Sequence, residues 1–226
     1  MSPFENLLYN LTEVKVIAPD IPYSLYFPLD LSINNIALAK SNPTTSEDFK
    51  NFIHNLLKEN NAAIAYGGYN EARNLYKRSP VFKDVKQEER TIHIGLDLWT
   101  TAETPILAAL DGKIHSFQFN NQLGDYGPTI ILEHEIDGHK FFTLYGHLSL
   151  ESLQNLSKGQ IIKKGEQIAT LGNASINGDY APHLHFQIIK NIQNKEGDYP
   201  GVCCASTLPF YLTNCPDPNL LLKINS

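Results

Sequence analysis

Residues 91–99 read TIHIGLDLW, and the fold of the chain turns on whether this stretch is helix or strand. A helix would bring His93 and Asp97 together, because positions four apart share a helical face. The apolar residues decide against it. Ile92, Ile94, Leu96 and Leu98 alternate with period two, which leaves His93, Gly95 and Asp97 on the opposite face of a strand. A straight strand would hold positions 93 and 97 roughly 13 Å apart, too far for both to reach one metal ion. The strand has to bend if the two are to meet, and Gly95 is where a bulge or kink costs least.

The same alternation runs through APHLHFQII, residues 181–189. His183, His185 and Gln187 share one face there, and Leu184, Phe186 and Ile188 share the other. The two imidazoles stand roughly 6.6 Å apart at the backbone. Pro182 can open the strand because its missing N–H falls outside the ladder. In FFTLYGHLS, residues 141–149, alternation puts Thr143, Tyr145 and His147 on one face and Leu144 and Leu148 on the other. Three segments thus offer polar faces carrying His93 and Asp97, His147, and His183 and His185. Three protein ligands and a water make the usual catalytic zinc site, so five candidates are two more than zinc needs. Spare imidazoles beside a metal are natural general bases or oxyanion donors. Of the other histidines, His134 on the run TIILEHE is expected to be structural. His115 and His139 flank turns and are expected to face solvent, and His54, beside the apolar stripe of its helix, is expected at the surface or its boundary.

The segments from residue 90 to 192 are short alternating runs separated by Gly, Asn and Asp, the pattern of an antiparallel β-domain. Before them, prolines at 3, 19, 22, 28 and 43 favour short strands and loops over helices up to about residue 42. PTTSEDFKNFIHNLLKENN, residues 43–61, reads as a helix. Thr44 and Glu47 have capping-box spacing, Phe49, Phe52, Ile53, Leu56 and Leu57 form one apolar stripe, and Asn60–Asn61 is the stop. Ala62 to Tyr66 is a candidate strand and Gly67–Gly68 a turn. Arg73, Lys77 and Arg78 are expected on a solvated face. The tail carries prolines at 200, 209, 216 and 218 and reads as ordered loop with one strand. The fold class is therefore mainly β, an antiparallel sheet over residues 89–192. A mixed α+β extension with at least one helix occupies 1–88, and a loop-rich extension packed on the core occupies 193–226.

Composition bounds what the chain can do. With 18 Lys+Arg against 24 Asp+Glu the net charge is -6, which argues against nucleic acid and anionic membranes as partners. No run of about 18 apolar residues occurs, so no membrane span is expected. The opening MSPFENLLYNLTEVKVIAPD has neither a basic n-region nor an apolar h-region. The expectation from that is a cytoplasmic protein, or a periplasmic or secreted one if the chain is trimmed. Cys203, Cys204 and Cys215 are too few and too late to be a disulfide framework and are expected as free thiols.

Taken in order, HIGLD, TPILAALDGKI, YGPTIILEHEIDG, LYGHLS, KGQIIKKGEQIATLG and APHLHFQI resemble the lysostaphin/LytM-type zinc metallopeptidases over about residues 91–190. The resemblance implies a β-sheet groove with one Zn²⁺ at its floor. It implies His93, Asp97 and His185 as the ligands and His147 and His183 as the catalytic histidines, and Tyr145 is a candidate for touching substrate. It also implies a zinc endopeptidase whose substrate is a peptidoglycan-like or glycine-rich peptide. The alternatives are a regulatory binding protein of the same fold, a cytosolic metallohydrolase with a substrate other than cell wall, and a carrier domain of the biotinyl-lipoyl kind. The carrier would have no use for His93, Asp97 and His185 together.

Overall fold

The computed structural model describes residues 1–74 and 88–224. The first strands, β1 (Tyr26–Pro28), β2 (Ile64–Gly67) and β3 (Glu71–Ala72), precede the alternating region. Within that region come β4 (Ile92–His93), β5 (Leu96–Trp99), β6 (Pro105–Leu107), β7 (Gly112–Asn120), β8 (Gly127–Ile136) and β9 (His139–Gly146). They are followed by β10 (Ile161–Ile162), β11 (Gln167–Thr170), β12 (His183–Ile189) and β13 (Val202–Cys203). Eight strands form the main sheet in the order β1-β2-β5-β12-β9-β8-β7-β10. Every pairing in it is antiparallel except β1 with β2. A ribbon of β6 and β11 and a small sheet of β13, β4 and β3 complete the strand set.

The stretch 91–99 is strand, and it breaks where the chemistry of glycine allows. His93 ends β4 in the small sheet, Leu96 begins β5 in the large one, and Ile94 and Gly95 bridge them. The bend also divides the apolar side chains. Leu96 and Leu98 join the principal core with Leu184, Phe186 and Ile188 of β12, whereas Ile94 joins a second core with Leu144, Ile189 and Tyr199 on the opposite side of the sheet. That second face carries the histidines, because His185 stands directly opposite Asp97 in the β12–β5 register.

Helices cover the sheet. α1 (Pro3–Asn10) buries Phe4 and Leu8 in the principal core, beside α5 (Asn219–Leu222), which buries Leu221 and Leu222. α2 is Ile36–Ser41, and α4 is Leu208–Asn214. α3 (Ser46–Glu59) lays Ile53, with Phe49, Phe52, Leu56 and Leu57, on a third cluster around Leu29, Leu31 and Trp99.

The expected helix is present, shifted by one residue at its start. The cap is Thr45 with Asp48, reciprocally bonded, and not Thr44 with Glu47. Two expectations are corrected. The first 42 residues contain α1 and α2, and Ser2, Pro3 and Glu5 supply α1 with a complete capping box and a proline at its start. The tail holds two short helices as well as β13. His134 is structural as expected: it is buried between the Asp111 carbonyl and the Thr143 hydroxyl.

Gly95 sits where a side chain would be crowded. A Cβ there would fall inside contact distance of the His185 ring, which is itself buried. Gly95→Ala is expected to cost about 1–3 kcal/mol, the usual range for overpacking a filled site, as measured by urea denaturation. An unchanged midpoint would show that the ring can move aside.

Candidate metal centre

Asp97 on β5 and His185 on β12 face each other across one rung of the main sheet, and the bend at Gly95 swings His93 onto the same point. Nε2 of His93 lies 3.2 Å from Oδ1 of Asp97, Nδ1 of His185 lies 3.1 Å from the same oxygen, and the two nitrogens are 2.9 Å apart. All three residues are buried.

The far side of each ring says where its proton is. Nδ1–H of His93 donates to the Gly68 carbonyl at 2.9 Å, since a carbonyl oxygen only accepts. Nε2–H of His185 donates to Gln187 Oε1 at 3.0 Å. A neutral imidazole has one N–H, so Nε2 of His93 and Nδ1 of His185 carry lone pairs, and both point at a carboxylate oxygen. Three acceptors within 3.2 Å of one another repel unless a cation stands among them. Ligand atoms of a tetrahedral zinc site with bonds near 2.0–2.1 Å are about 3.4 Å apart, so the spacing and the donor types fit zinc.

His147 and His183 stand beside this trio. Nδ1–H of His147 donates to the Asn177 carbonyl and Nδ1–H of His183 to the Ala181 carbonyl, each at 2.8 Å. Their Nε2 atoms therefore hold the lone pairs, and that of His183 is 3.9 Å from Asp97 Oδ1. The two ring centroids are 4.2 Å apart. Trp99 stacks on His183 at 5.6 Å and 22°. His147 sits just past the end of β9 with φ at 63°, a left-handed conformation that a non-glycine residue adopts at a cost of roughly 1–2 kcal/mol. Hydrogen bonds from His147 N to the Tyr126 carbonyl and from Gly172 N to the His147 carbonyl hold it there.

That left-handed residue breaks the alternation and corrects the reading of Tyr145. Tyr145 pairs with Phe186 and faces the principal core, fully buried, and its hydroxyl accepts from Ala109 N at 2.9 Å. It does not line the groove, whereas His147 is turned through the sheet to the other face and does. Arg73 is a second correction. It is buried, with Nη1 on Asp97 Oδ2 at 2.6 Å and Nε on Glu71. Glu71 in turn accepts from Leu31 N. Lys77 and Arg78 lie outside the described residues.

Burial sets the charge states. It pulls His93 down to about 4, and it holds His147 well below and His183 below the ordinary imidazole range. In Asp97 burial works upward, but the Arg73 guanidinium on its second oxygen works against it, and the carboxyl lies well below its usual range. Neutral imidazoles around an ionised carboxylate are the states a metal ion requires of its ligands.

The groove above these groups encloses about 260 Å³, with Tyr126 and Tyr180 on its rim and Leu31, Phe49 and Ile53 forming an apolar wall. The two tyrosines had a signal in the sequence. The triplet Gly-Asp-Tyr occurs at 124–126, 178–180 and 197–199, and the three copies interlock. Tyr126 donates to the Tyr199 carbonyl, Tyr180 donates to the Gly124 carbonyl, and Gly124 N donates to the Gly178 carbonyl.

Residues 91–196 match peptidase family M23. The chain is 38% identical over 95 residues to an uncharacterized metalloprotease of Haemophilus influenzae, covering 42% of this chain and 18% of that one. It is 31% identical over 100 residues to the peptidoglycan DD-endopeptidase ShyC of Vibrio cholerae, covering 44% and 20%. The similarity thus spans about a fifth of the length of these relatives. Among solved structures, the catalytic domain of the antimicrobial peptidase lysostaphin from Staphylococcus simulans is 28% identical with a TM-score of 0.40, covering 67% of this chain and 93% of that one. The part of the chain that folds around the histidine–aspartate cluster is thus the part that matches the peptidase M23 family, residues 91–196.

Proposed function

We propose that this chain is a zinc-dependent endopeptidase acting on peptide bonds of peptidoglycan or of a similar glycine-rich peptide. The observation that carries the reading is the convergence of three lone pairs, from His93, Asp97 and His185, with two neutral imidazoles beside them. His93 Nε2, Asp97 Oδ1 and His185 Nδ1 would hold the ion. Bound zinc supplies Lewis acidity, which lowers the pKa of a water and polarises a carbonyl.

The chain's own residues handle the proton. Nε2 of His147 and Nε2 of His183 carry lone pairs on the groove beside the cluster. Between them they take a proton from the attacking water and return one to the departing amine. The rings are close enough that a charge on one disfavours a charge on the other, so the pair carries one proton at a time. Arg73 holds the second oxygen of Asp97 and leaves the first to the ion. Trp99 keeps His183 from rotating by stacking on it.

The substrate class is supported by the similarity to ShyC, a peptidoglycan DD-endopeptidase by name. A cell-wall substrate is met outside the cytoplasm, so this reading favours a periplasmic or surface location over a cytoplasmic one. Among the described residues no helix is long and apolar enough to cross a membrane. Residues 1–88 and 193–226 act as extensions that shape the groove of the 89–192 core. Leu31, Phe49 and Ile53 come from the first, and Tyr199 and Pro200 come from the second.

Zinc content and hydrolysis of muropeptides and glycyl peptides, followed by mass spectrometry, test the proposal together. Asp97→Ala is expected to lose zinc, and stoichiometric metal in that protein would remove Asp97 from the ligand set. His147→Asn, chosen because asparagine tolerates the left-handed backbone, and His183→Asn are expected to keep zinc and slow turnover about 10²- to 10⁴-fold. A wild type that binds zinc and cleaves none of these peptides would point to a binding protein instead.

Acid should destabilise the metal-free protein. An unfolded imidazole takes up a proton near pH 6.5, whereas folded His93 resists protonation down to about 4. The unfolded chain therefore binds more protons between these values. Stability is full above about 6.5 and falls as the pH drops toward 4, with Asp97 adding to the loss below 3.8. Denaturant midpoints measured with a chelator present should fall over this window, and a flat profile would contradict the assigned charge states.

A further inference from the structure

We propose that Gln187 is a positioning residue that keeps His185 in the tautomer able to bind metal, and that the C-terminal segment sets the direction of Gln187. The inference rests on the metal reading above. His185 and Gln187 stand two apart on β12 and share its groove-side face. A primary amide offers an acceptor and a donor of nearly the same shape, so which end meets the imidazole depends on what holds the other end.

Here the other end is held twice. Nε2 of Gln187 donates to the Pro200 carbonyl at 3.1 Å and to Cys215 Sγ at 3.2 Å. A carbonyl cannot donate, so the amide nitrogen is committed to that side. Oε1 then faces His185 Nε2 at 3.0 Å and accepts its proton. The Tyr126 hydroxyl, 3.4 Å from the same nitrogen, already donates to the Tyr199 carbonyl, so it too meets Nε2 as an acceptor. With the single ring proton on Nε2, Nδ1 keeps its lone pair, 3.1 Å from Asp97 Oδ1.

Reversed, the amide would donate into Nε2, the ring proton would move to Nδ1, and an N–H would point into the cluster in place of a ligand. No water substitutes for the amide, because Gln187 and Cys215 are both 0% exposed. Cys215 thereby acquires a use that needs neither a disulfide nor a reactive thiolate. Burial pushes its thiol up to about 12, so it remains a neutral, weakly accepting sulfur.

Zinc affinity, measured by chelator competition on wild type, Gln187→Met and Gln187→Glu, tests the inference. Methionine keeps the bulk and removes the acceptor that faces His185, and glutamate keeps that acceptor. Gln187→Met is expected to weaken zinc binding about tenfold to a hundredfold, and Gln187→Glu to stay within about threefold of wild type. A Gln187→Met protein that binds zinc as tightly as wild type would overturn the inference. So would nitrogen NMR of the zinc-loaded wild type that places the His185 proton on Nδ1, and this readout needs no variant to fold. A wild type that takes up no zinc in the same titration would instead defeat the metal reading itself.

Discussion

Everything at the centre of this molecule follows from three lone pairs held within 3.2 Å of one another with no proton among them. Such an arrangement is unfavourable in isolation, and the surrounding chain is built to enforce it. Each ring gives its one N–H to an acceptor on the outside: Gly68 for His93, Gln187 for His185. The same device recurs in the two neighbouring imidazoles, which are tied to Asn177 and Ala181. Four histidines thus have their protons directed away from one point, and burial keeps charge off His93, His147 and His183. The cost of crowding acceptors is met by the packing of the sheet and its cores, which leaves the rings nowhere else to go.

Much of this was legible because β-structure writes itself with period two. Alternation identified the face shared by His183, His185 and Gln187, and it required a bend at Gly95 before the structure showed one. The resemblance to a zinc peptidase family then proposed which of these residues are ligands and which are neighbours, a choice that alternation by itself left open. Where the reading went astray, a local backbone event had broken the period. The left-handed conformation of His147 moves it from the Tyr145 face to the other, and nothing in LYGHLS announces a positive φ at a histidine.

Other features were missed although their signals were present. Ser2, Pro3 and Glu5 are a complete helix start, passed over because prolines elsewhere in the segment argued for loops. Arg73 reads as one of three clustered cations, and only tertiary structure shows that it is drawn inward by Glu71 and Asp97. Glu71 and Arg73 are two apart at the end of a strand, so the pair was in principle detectable. The repeated Gly-Asp-Tyr triplets are short enough to pass for chance. Their meaning lies in hydrogen bonds between copies far apart in the chain, and no local pattern records those.

β5, which carries Asp97, has β12 on one side and β2 on the other, and β2 comes from residues upstream of the M23 match. Cutting the chain back to the matched segment would strip away that neighbour. The backbone of Leu96 to Trp99 would become a bare sheet margin with a tryptophan on it, a surface that recruits other copies of itself. That fragment would then be sticky at the strand that presents the Asp97 carboxylate, and the early residues serve as the splint that keeps that strand occupied.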